Sequence, residues 1–245
     1  MNTRTLKTIT LTRPTKKATK ATKKRKKERL SNTYAVNYDS FYLVFTCMIK
    51  PSSNEKTGEM IQTYLIDKES INEPKVFGAK CSDCPIKTEC YVNKDKLSVR
   101  SALKRLIAGE NTSYKWSTIG EMLPRLKGRS LRWGTYGDPS AIPLSDLKRI
   151  CSVLKSWTGY THYFHEIDQG YSAYLMASCE SVALELLAQS LGYRTYRVLL
   201  DEDDTLEILD DSIQCPNYTR GLTCLECGLC NGQATKAKSI YVYQH

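Results

Sequence analysis

The sequence predicts an α/β fold in which a partly parallel sheet, or an incomplete or distorted barrel, carries a cysteine-rich metal-binding segment and a disordered basic tail. Three observations predict it. Apolar segments with strand and helix periodicity alternate through the second half of the chain and are joined by short links. Four of the 10 cysteines cluster near the C-terminus. The excess of Lys and Arg lies at the N-terminus.

Residues 1–30 form a basic tail, and residues 31–245 have the composition of a single α/β domain. Of the formal net charge of +10, the tail contributes +11, so the remaining residues sum to −1. The tail has few apolar residues to bury, which predicts disorder in isolation. Its dense positive charge suits phosphate neutralisation, so we expect a nucleic-acid partner, DNA more than RNA. The expected contacts are Lys16, Lys17, Lys20, Lys23, Lys24, Arg25, Lys26, Lys27 and Arg29.

Two strands and two helices are predicted in the first half of the domain. Apolar runs at 41–49 and 60–66 flank a Pro-Ser-Ser-Asn turn, so we expect them to pair. Residues 97–108 place Val, Leu and Ile at helical spacing. A second helix at 116–123 is expected to stop before Pro124, because proline lacks the N–H that a helix interior needs.

Strands and helices alternate in the second half, which favours parallel strands joined by helical crossovers. Ser181 begins one predicted helix, and Gly192 follows its last residue, where glycine commonly ends a helix. The predicted strands are 131–136, 160–165, 171–177, 194–200 and 240–243, and the predicted helices are 144–157 and 181–191.

The C-terminal segment, residues 211–245, carries the strongest functional signal. Its Cys-x-x-Cys-x-x-Cys spacing lets successive thiolates turn toward one ion, and Gly228 and Gly232 allow the tight backbone that this needs. Four thiolates suffice for tetrahedral zinc or for a [4Fe-4S] cluster, and His245 could replace one of them. The C-terminal cysteine group is Cys215, Cys224, Cys227 and Cys230.

A first cysteine group, Cys81, Cys84 and Cys90, follows the first two predicted strands and is a candidate cofactor site. Three thiolates are one ligand short of a closed structural metal site. Either a distant residue completes it, such as Cys47, Cys179 or a His, or one position stays open for substrate or water, as in catalytic metal sites. The scarcity of His favours iron–sulfur over zinc slightly, and the spacing does not decide between them.

The segment LRWGTYGDPSAIP, residues 131–143, has the composition of a loop at the end of a strand. Active sites of α/β folds form at such strand ends, so Asp138 is a candidate base, nucleophile or hydrogen-bond acceptor. The alternative is that Asp138 only caps the helix that follows. His162 and His165 lie three residues apart on a predicted strand and would face opposite sides, so we choose one of them, His165, as catalytic.

The chain shows no apolar run long enough to cross a membrane and no apolar segment of a secretory signal. We therefore expect a cytoplasmic protein without membrane contact. In a reducing compartment, closely spaced cysteines bind metal more often than they form disulfides.

The order of four motifs resembles a family of bacteriophage and plasmid proteins of unassigned function. The motifs are CxxCPxxxxCY, RWGTYGDPSAIP, WTGYTH and the closing CxxCxxC, which together span roughly residues 80–245. The resemblance implies an origin in a phage or mobile element and a place of action inside the host cell.

Two families of known chemistry are similar in part. Radical S-adenosylmethionine enzymes hold a [4Fe-4S] cluster on three cysteines after an early strand of a partial barrel, which would give the first cysteine group that role. Queuine-type guanine transglycosylases are barrels with a C-terminal zinc on three close cysteines and a later His, which would assign zinc to the last three cysteines and His245. The cysteine spacings of both families differ from those of this chain.

These observations favour a phage-type metal- or iron–sulfur-binding enzyme that modifies nucleobases, with S-adenosylmethionine or another small molecule as co-substrate. The alternative is a non-catalytic nucleic-acid-binding protein whose metals are structural, which the lack of a complete catalytic signature favours. A rolling-circle-type replication initiator is disfavoured, because His162 and His165 do not form a His-hydrophobe-His pattern.

Overall fold

A computed structural model describes residues 31–73, 78–82, 84, 87, 90, 98–110, 112–199, 208–233 and 239–243. The basic tail and His245 lie outside these ranges. The strands are β1 (Thr33–Asn37), β2 (Phe41–Thr46), β3 (Ile61–Asp67), β4 (Tyr114–Trp116), β5 (Ser130–Tyr136), β6 (Ser156–Thr158), β7 (Tyr160–Thr161), β8 (Met176–Cys179), β9 (Thr195–Leu199), β10 (Ser212–Gln214) and β11 (Ser239–Tyr243). The helices are α1 (Ser98–Ile107), α2 (Ile119–Leu126), α3 (Leu144–Cys151), α4 (Val182–Ser190), α5 (Pro216–Arg220) and α6 (Cys224–Cys227).

The α/β prediction is confirmed, and the described strands form two sheets rather than a closed barrel. The first sheet has the order β4-β1-β2-β3-β5-β6, and the second has the order β10-β11-β9-β8-β7. Only the β1–β2 and β2–β3 pairs are antiparallel; the other pairs are parallel. From β3 onward the strands therefore run parallel, as the alternation of strands and helices predicts.

Gly159 connects the two sheets, because it is the single residue between β6 and β7. Its N–H donates to the carbonyl of Cys230 (3.0 Å), and its carbonyl accepts from the N–H of Met176 (3.0 Å). A Cβ at this position would lie 2.8 Å from Leu175 Cδ2 and 2.9 Å from Trp133 Cβ. Only glycine fits where the chain passes so closely over its neighbours.

Different elements pack on the two faces of the sheets. Apolar residues of α2, α3 and α4 pack with Leu131, Trp133 and Ala177 into the main core. On the opposite face, α1 packs over the first sheet, with Leu103 in the same cluster as Val44. The C-terminal cysteine segment packs on that opposite face of the second sheet, against residues of β8 and β11. Side-chain alternation along the strands separates these layers.

Several predicted element boundaries are wrong for local reasons. The predicted strand 160–165 ends at Thr161, where the N–H of Tyr163 donates to the Thr161 hydroxyl (3.0 Å) and a turn begins. α2 continues past Pro124, because a Thr118–Glu121 capping box and three buried apolar residues stabilise the helix. The third predicted helix ends at Cys151, and the N–H of Lys155 then donates to a carbonyl next to β5 (2.8 Å), which draws the chain into β6. The predicted strand 171–177 begins instead as a 3-10 turn capped by Asp168.

Gly137→Ala should destabilise the protein far more than Gly192→Ala. Both glycines have left-handed φ, +85° and +82°, so alanine costs about 1–2 kcal/mol at each. A Cβ on Gly137 would also lie 2.4 Å from the carbonyl oxygen of Leu65, whereas Gly192 has no atom within 4 Å. We expect this backbone clash to add about 1–3 kcal/mol, measured by urea unfolding. Equal losses in the two variants would show that β3 and the loop after β5 are not in close contact.

Candidate functional site

The first cysteine group begins where two parallel strands end. The N–H of Ala79 donates to the carbonyl of Leu65 in β3 (2.9 Å), and the N–H of Asp138, just after β5, donates to the carbonyl of Ala79 (3.0 Å). The N–H of Cys81 then donates to the carbonyl of Gly78 (2.9 Å). These backbone bonds hold Cys81 beside the Asp138 loop, at the strand edge where active sites of α/β proteins form.

Asp138 is buried, and both of its carboxylate oxygens accept backbone hydrogen bonds. Oδ1 accepts from the N–H of Ser140 (2.9 Å) and so caps the 3-10 turn Pro139–Ala141. Oδ2 accepts from the N–H of His162 (3.0 Å), which ties the loop to the end of β7. The capping role considered above is therefore present, together with this second bond. An amide could not accept at both atoms, because its NH2 group only donates.

His162 turns its imidazole toward the first cysteine group. Its Nδ1 lies 4.0 Å from Cys84 Sγ and 3.9 Å from Asp138 Oδ2. Its Nε2 lies 3.1 Å from Oε1 of Glu180, the residue after β8, although neither of these buried atoms completes a well-directed hydrogen bond. Burial alone lowers the pKa of His162, but the closeness and negative charge of Cys84 and Glu180 raise the pKa to about 10. Sequence reasoning did not select this His–Glu pair.

His165, the histidine chosen from the sequence, lies on the surface with 44% of its side chain exposed. Its Nε2 is 3.3 Å from Glu166 Oε1, and its ring meets Phe164 edge-on. The signal that identifies the other histidine is the register of β7. Thr161 pairs with Ala177, which packs among the residues facing the helices, so the next residue, His162, faces the cysteines.

Cys81 lies in an environment that disfavours a free thiolate. Burial raises its pKa to about 12, with further contributions from the negative charges of Asp138, Cys84 and Cys90. The first cysteine group and Asp138 are thus close enough to repel one another when ionised. A metal cation would offset this repulsion, because thiols that coordinate a metal are deprotonated by the charge of the ion.

The C-terminal cysteine group is fixed by bonds to distant parts of the chain. α6 begins with a capping box and ends at Gly228, whose φ of 66° turns the backbone. The N–H of Cys224 donates to the carbonyl of Lys56 (2.8 Å), and the carbonyl of Cys230 accepts from Gly159 (3.0 Å). The segment is therefore attached both to the loop before β3 and to the link between the sheets.

All four residues of the C-terminal cysteine group line one cavity of about 20 Å³, roughly the space that one water molecule needs. Burial raises the pKa of Cys230 to about 12; the Tyr160 hydroxyl opposes this shift, and the three other cysteines of the group add to it. The same cavity is lined by Thr158, Tyr160, Tyr196 and Lys56. Four thiols around one small space have the ligand number of a closed metal site.

Neither cysteine group is arranged as a finished metal site. Within the described ranges, no group of three or more His, Cys, Asp or Glu side chains is placed to hold a metal ion. Metal binding at both groups therefore stays a prediction, and the donors would have to draw together around an ion. His245 and the tail cations lie outside the described ranges and are not placed.

Comparisons with protein-family models, curated proteins and solved structures give no match to this chain. The family resemblances drawn from motifs therefore stay predictions. In the part of the chain that the structure describes, no helix is both long and apolar enough to cross a membrane.

Cys227→Ser should lower bound metal by about one equivalent and reduce the thermal stability of the protein. The reason is that the free energy of binding a structural metal contributes to the free energy of folding. Metal content by elemental analysis and melting with and without a chelator measure both effects. Cys151→Ala, at a buried core cysteine outside both groups, is the control for metal content. If Cys227→Ser binds and melts like the parent, the C-terminal group holds no structural metal.

Proposed function

We propose that this chain is a metal- or iron–sulfur-dependent enzyme that acts on nucleic acid as a nucleobase modifier. One observation carries the proposal. Cys81, Cys84, Asp138, His162 and Glu180 come together where β3, β5, β7 and β8 end. Carboxyl ends of parallel strands are where α/β enzymes place their catalytic groups.

The energetic cost of this cluster supports a functional role. Two carboxylates, an imidazole and thiols lie in a half-buried to buried position, where charged and polar groups are costly unless they are paired. Perturbed titratable groups packed together at a strand edge are typical of active sites. A fold that needed only stability would be served by apolar side chains at these positions.

The residues of the first cysteine group fit a soft metal or an iron–sulfur cluster, because all three offer thiolate sulfur. A bound [4Fe-4S] cluster would supply electron-transfer chemistry, with S-adenosylmethionine as the small-molecule co-substrate, and zinc would supply Lewis-acid chemistry. Asp138 would position the site rather than act as a free base, because both of its oxygens are engaged by backbone N–H groups.

The C-terminal cysteine group supports a structural role in the same proposal. Its four cysteines line one small cavity, and four thiolates would complete a tetrahedral metal site without an open position for a substrate. A metal there would join the loop of Lys56 to the link at Gly159, which are far apart in sequence. His245 remains a candidate ligand from the sequence.

A second candidate is a non-catalytic nucleic-acid-binding protein with two structural metals. The full engagement of Asp138 in capping favours it, because a catalytic base needs a free oxygen. The two candidates differ in whether the nucleic acid is changed chemically.

Expression of the protein should create a modified nucleoside in host DNA, and Cys84→Ser should abolish it. The serine removes one thiolate next to His162 while leaving Cys81 and Asp138 in place. Nucleosides from digested DNA and RNA are measured by mass spectrometry, with Cys151→Ala, at a buried core cysteine, as the control. Metal-loaded parent protein that yields no new nucleoside in either nucleic acid would favour the non-catalytic candidate.

Deleting residues 2–29 should flatten the salt dependence of DNA binding. If roughly half of the tail cations contact phosphates, the log–log slope of affinity against salt should be about −4 to −6. The remainder of the chain has a formal charge of −1 and offers no net positive charge to compensate. A tail with every Lys changed to Arg should keep the slope, and one with every Lys and Arg changed to Gln should lose it. Binding that survives the deletion with the same slope would exclude the tail as the anchor.

A further inference from the structure

We propose that His162, through Nδ1, is the fourth protein ligand of the metal held by the first cysteine group, and that Glu180 accepts a hydrogen bond from its Nε2. The inference rests on the proposed function, because it requires a metal at that group. It makes the site a closed Cys3His set. A co-substrate would then reach the metal only by displacing the imidazole.

Nδ1 of His162 and Sγ of Cys84 lie nearly as close together as two ligands of one metal ion. Two ligands of one tetrahedral zinc, with Zn–S of about 2.3 Å and Zn–N of about 2.0 Å, are separated by roughly 3.5 Å. Nδ1 of His162 and Sγ of Cys84 are 4.0 Å apart. A shift of about half an ångström therefore places this pair at ligand spacing. Cys81 is close enough to Cys84 for the negative charge of Cys84 to contribute to the raised pKa of Cys81.

Nε2, the other imidazole nitrogen of His162, lies close to the carboxylate of Glu180. Histidines that bind metal through one nitrogen almost always direct the other nitrogen to a carboxylate, carbonyl or water. Nε2 of His162 lies 3.1 Å from Oε1 of Glu180, whose side chain is 11% exposed. Neither atom completes another hydrogen bond in the described structure, so the carboxylate is available to orient the ring.

The backbone N–H of His162 is bonded to Asp138. Asp138 Oδ2 accepts from the His162 N–H while Oδ1 caps its own turn, so the chain is fixed just where the imidazole leaves it. Asp138 is thus a positioning residue for His162. This explains why a buried carboxylate at a strand end is bonded to two N–H groups instead of facing a substrate.

Metal retention in full-length variants tests the inference. Protein purified without oxygen is analysed for zinc and iron, and is also stripped and reloaded with Co²⁺, followed by chelator competition. The variants are His162→Ala, His162→Cys, Glu180→Ala and Cys84→Ser, and the control is the exposed His165→Ala. We expect His162→Ala and Glu180→Ala each to lower the metal affinity of one site at least about 10-fold. His165→Ala should leave the metal affinity unchanged.

The Cys variant separates loss of a ligand from loss of folding. His162→Cys should retain the metal and strengthen the sulfur-to-cobalt charge-transfer band, because a fourth thiolate replaces the imidazole. An unchanged band in that variant, or unchanged metal affinity in folded His162→Ala, would overturn the inference while leaving the proposed metal in place. If Cys84→Ser loses no metal, the proposed function itself fails, and this inference fails with it.

Discussion

The two sheets are joined at Gly159, the single residue between β6 and β7. At Gly159 a single extended segment leaves the first sheet and enters the second, with Leu175 Cδ2 and Trp133 Cβ where a side chain would be. The segment is short, so the residues around it serve both sheets. Tyr160 lines the cavity of the C-terminal cysteine group, and His162, two residues later on the same face, approaches the first cysteine group. A larger residue at this position would require the side chains of Leu175 and Trp133 to shift.

The two faces of the sheets bury different kinds of side chain. The face under α2–α4 buries large apolar side chains, which gives most of the hydrophobic stabilisation. The face on which the C-terminal group packs buries thiols and tyrosine hydroxyls instead, and Cys215 and Cys230 belong to its apolar cluster. Thiols are acceptable there as small apolar groups, but thiolates are not. Burial raises the pKa of Cys230, so its thiol suits this face when it is neutral or bound to a metal.

Local sequence patterns predict the secondary-structure elements and the two cysteine groups. They do not predict which residues the register of the strands brings together. Alternating strands and helices gave the parallel sheets, and cysteine spacing separated the two groups. The pairing of β3 with β5, which brings Cys81 to Asp138, depends on a register that no local pattern encodes. Strand alternation does not describe His162 and His165, because β7 ends at Thr161 and both histidines follow it. The choice between them required knowing that Thr161 faces the helices. Pro124 was misjudged because capping and burial outweigh a single missing donor.

The second sheet is held together at its two ends by different means. Glu185 of α4 and Arg197 of β9, each only 1% exposed, lie 3.4 Å apart, and Thr195 donates to the same carboxylate (3.1 Å). Removing one partner of such a pair is costly, since an unpaired charge stays buried. Ser212 of β10 also donates to Glu185 (3.4 Å), so α4, β9 and β10 are joined without any metal. The cysteine segment has no comparable ion pair among its described contacts. Its carbonyls accept instead from the side chains of Arg194, at Leu229 (2.5 Å) and Gln233 (3.3 Å), and of Trp157, at Asn231 (2.8 Å). If the proposed metal is bound at the C-terminal cysteine group, removing it should loosen that segment while the α4–β9 unit, which is joined by the Glu185–Arg197 pair, keeps its structure.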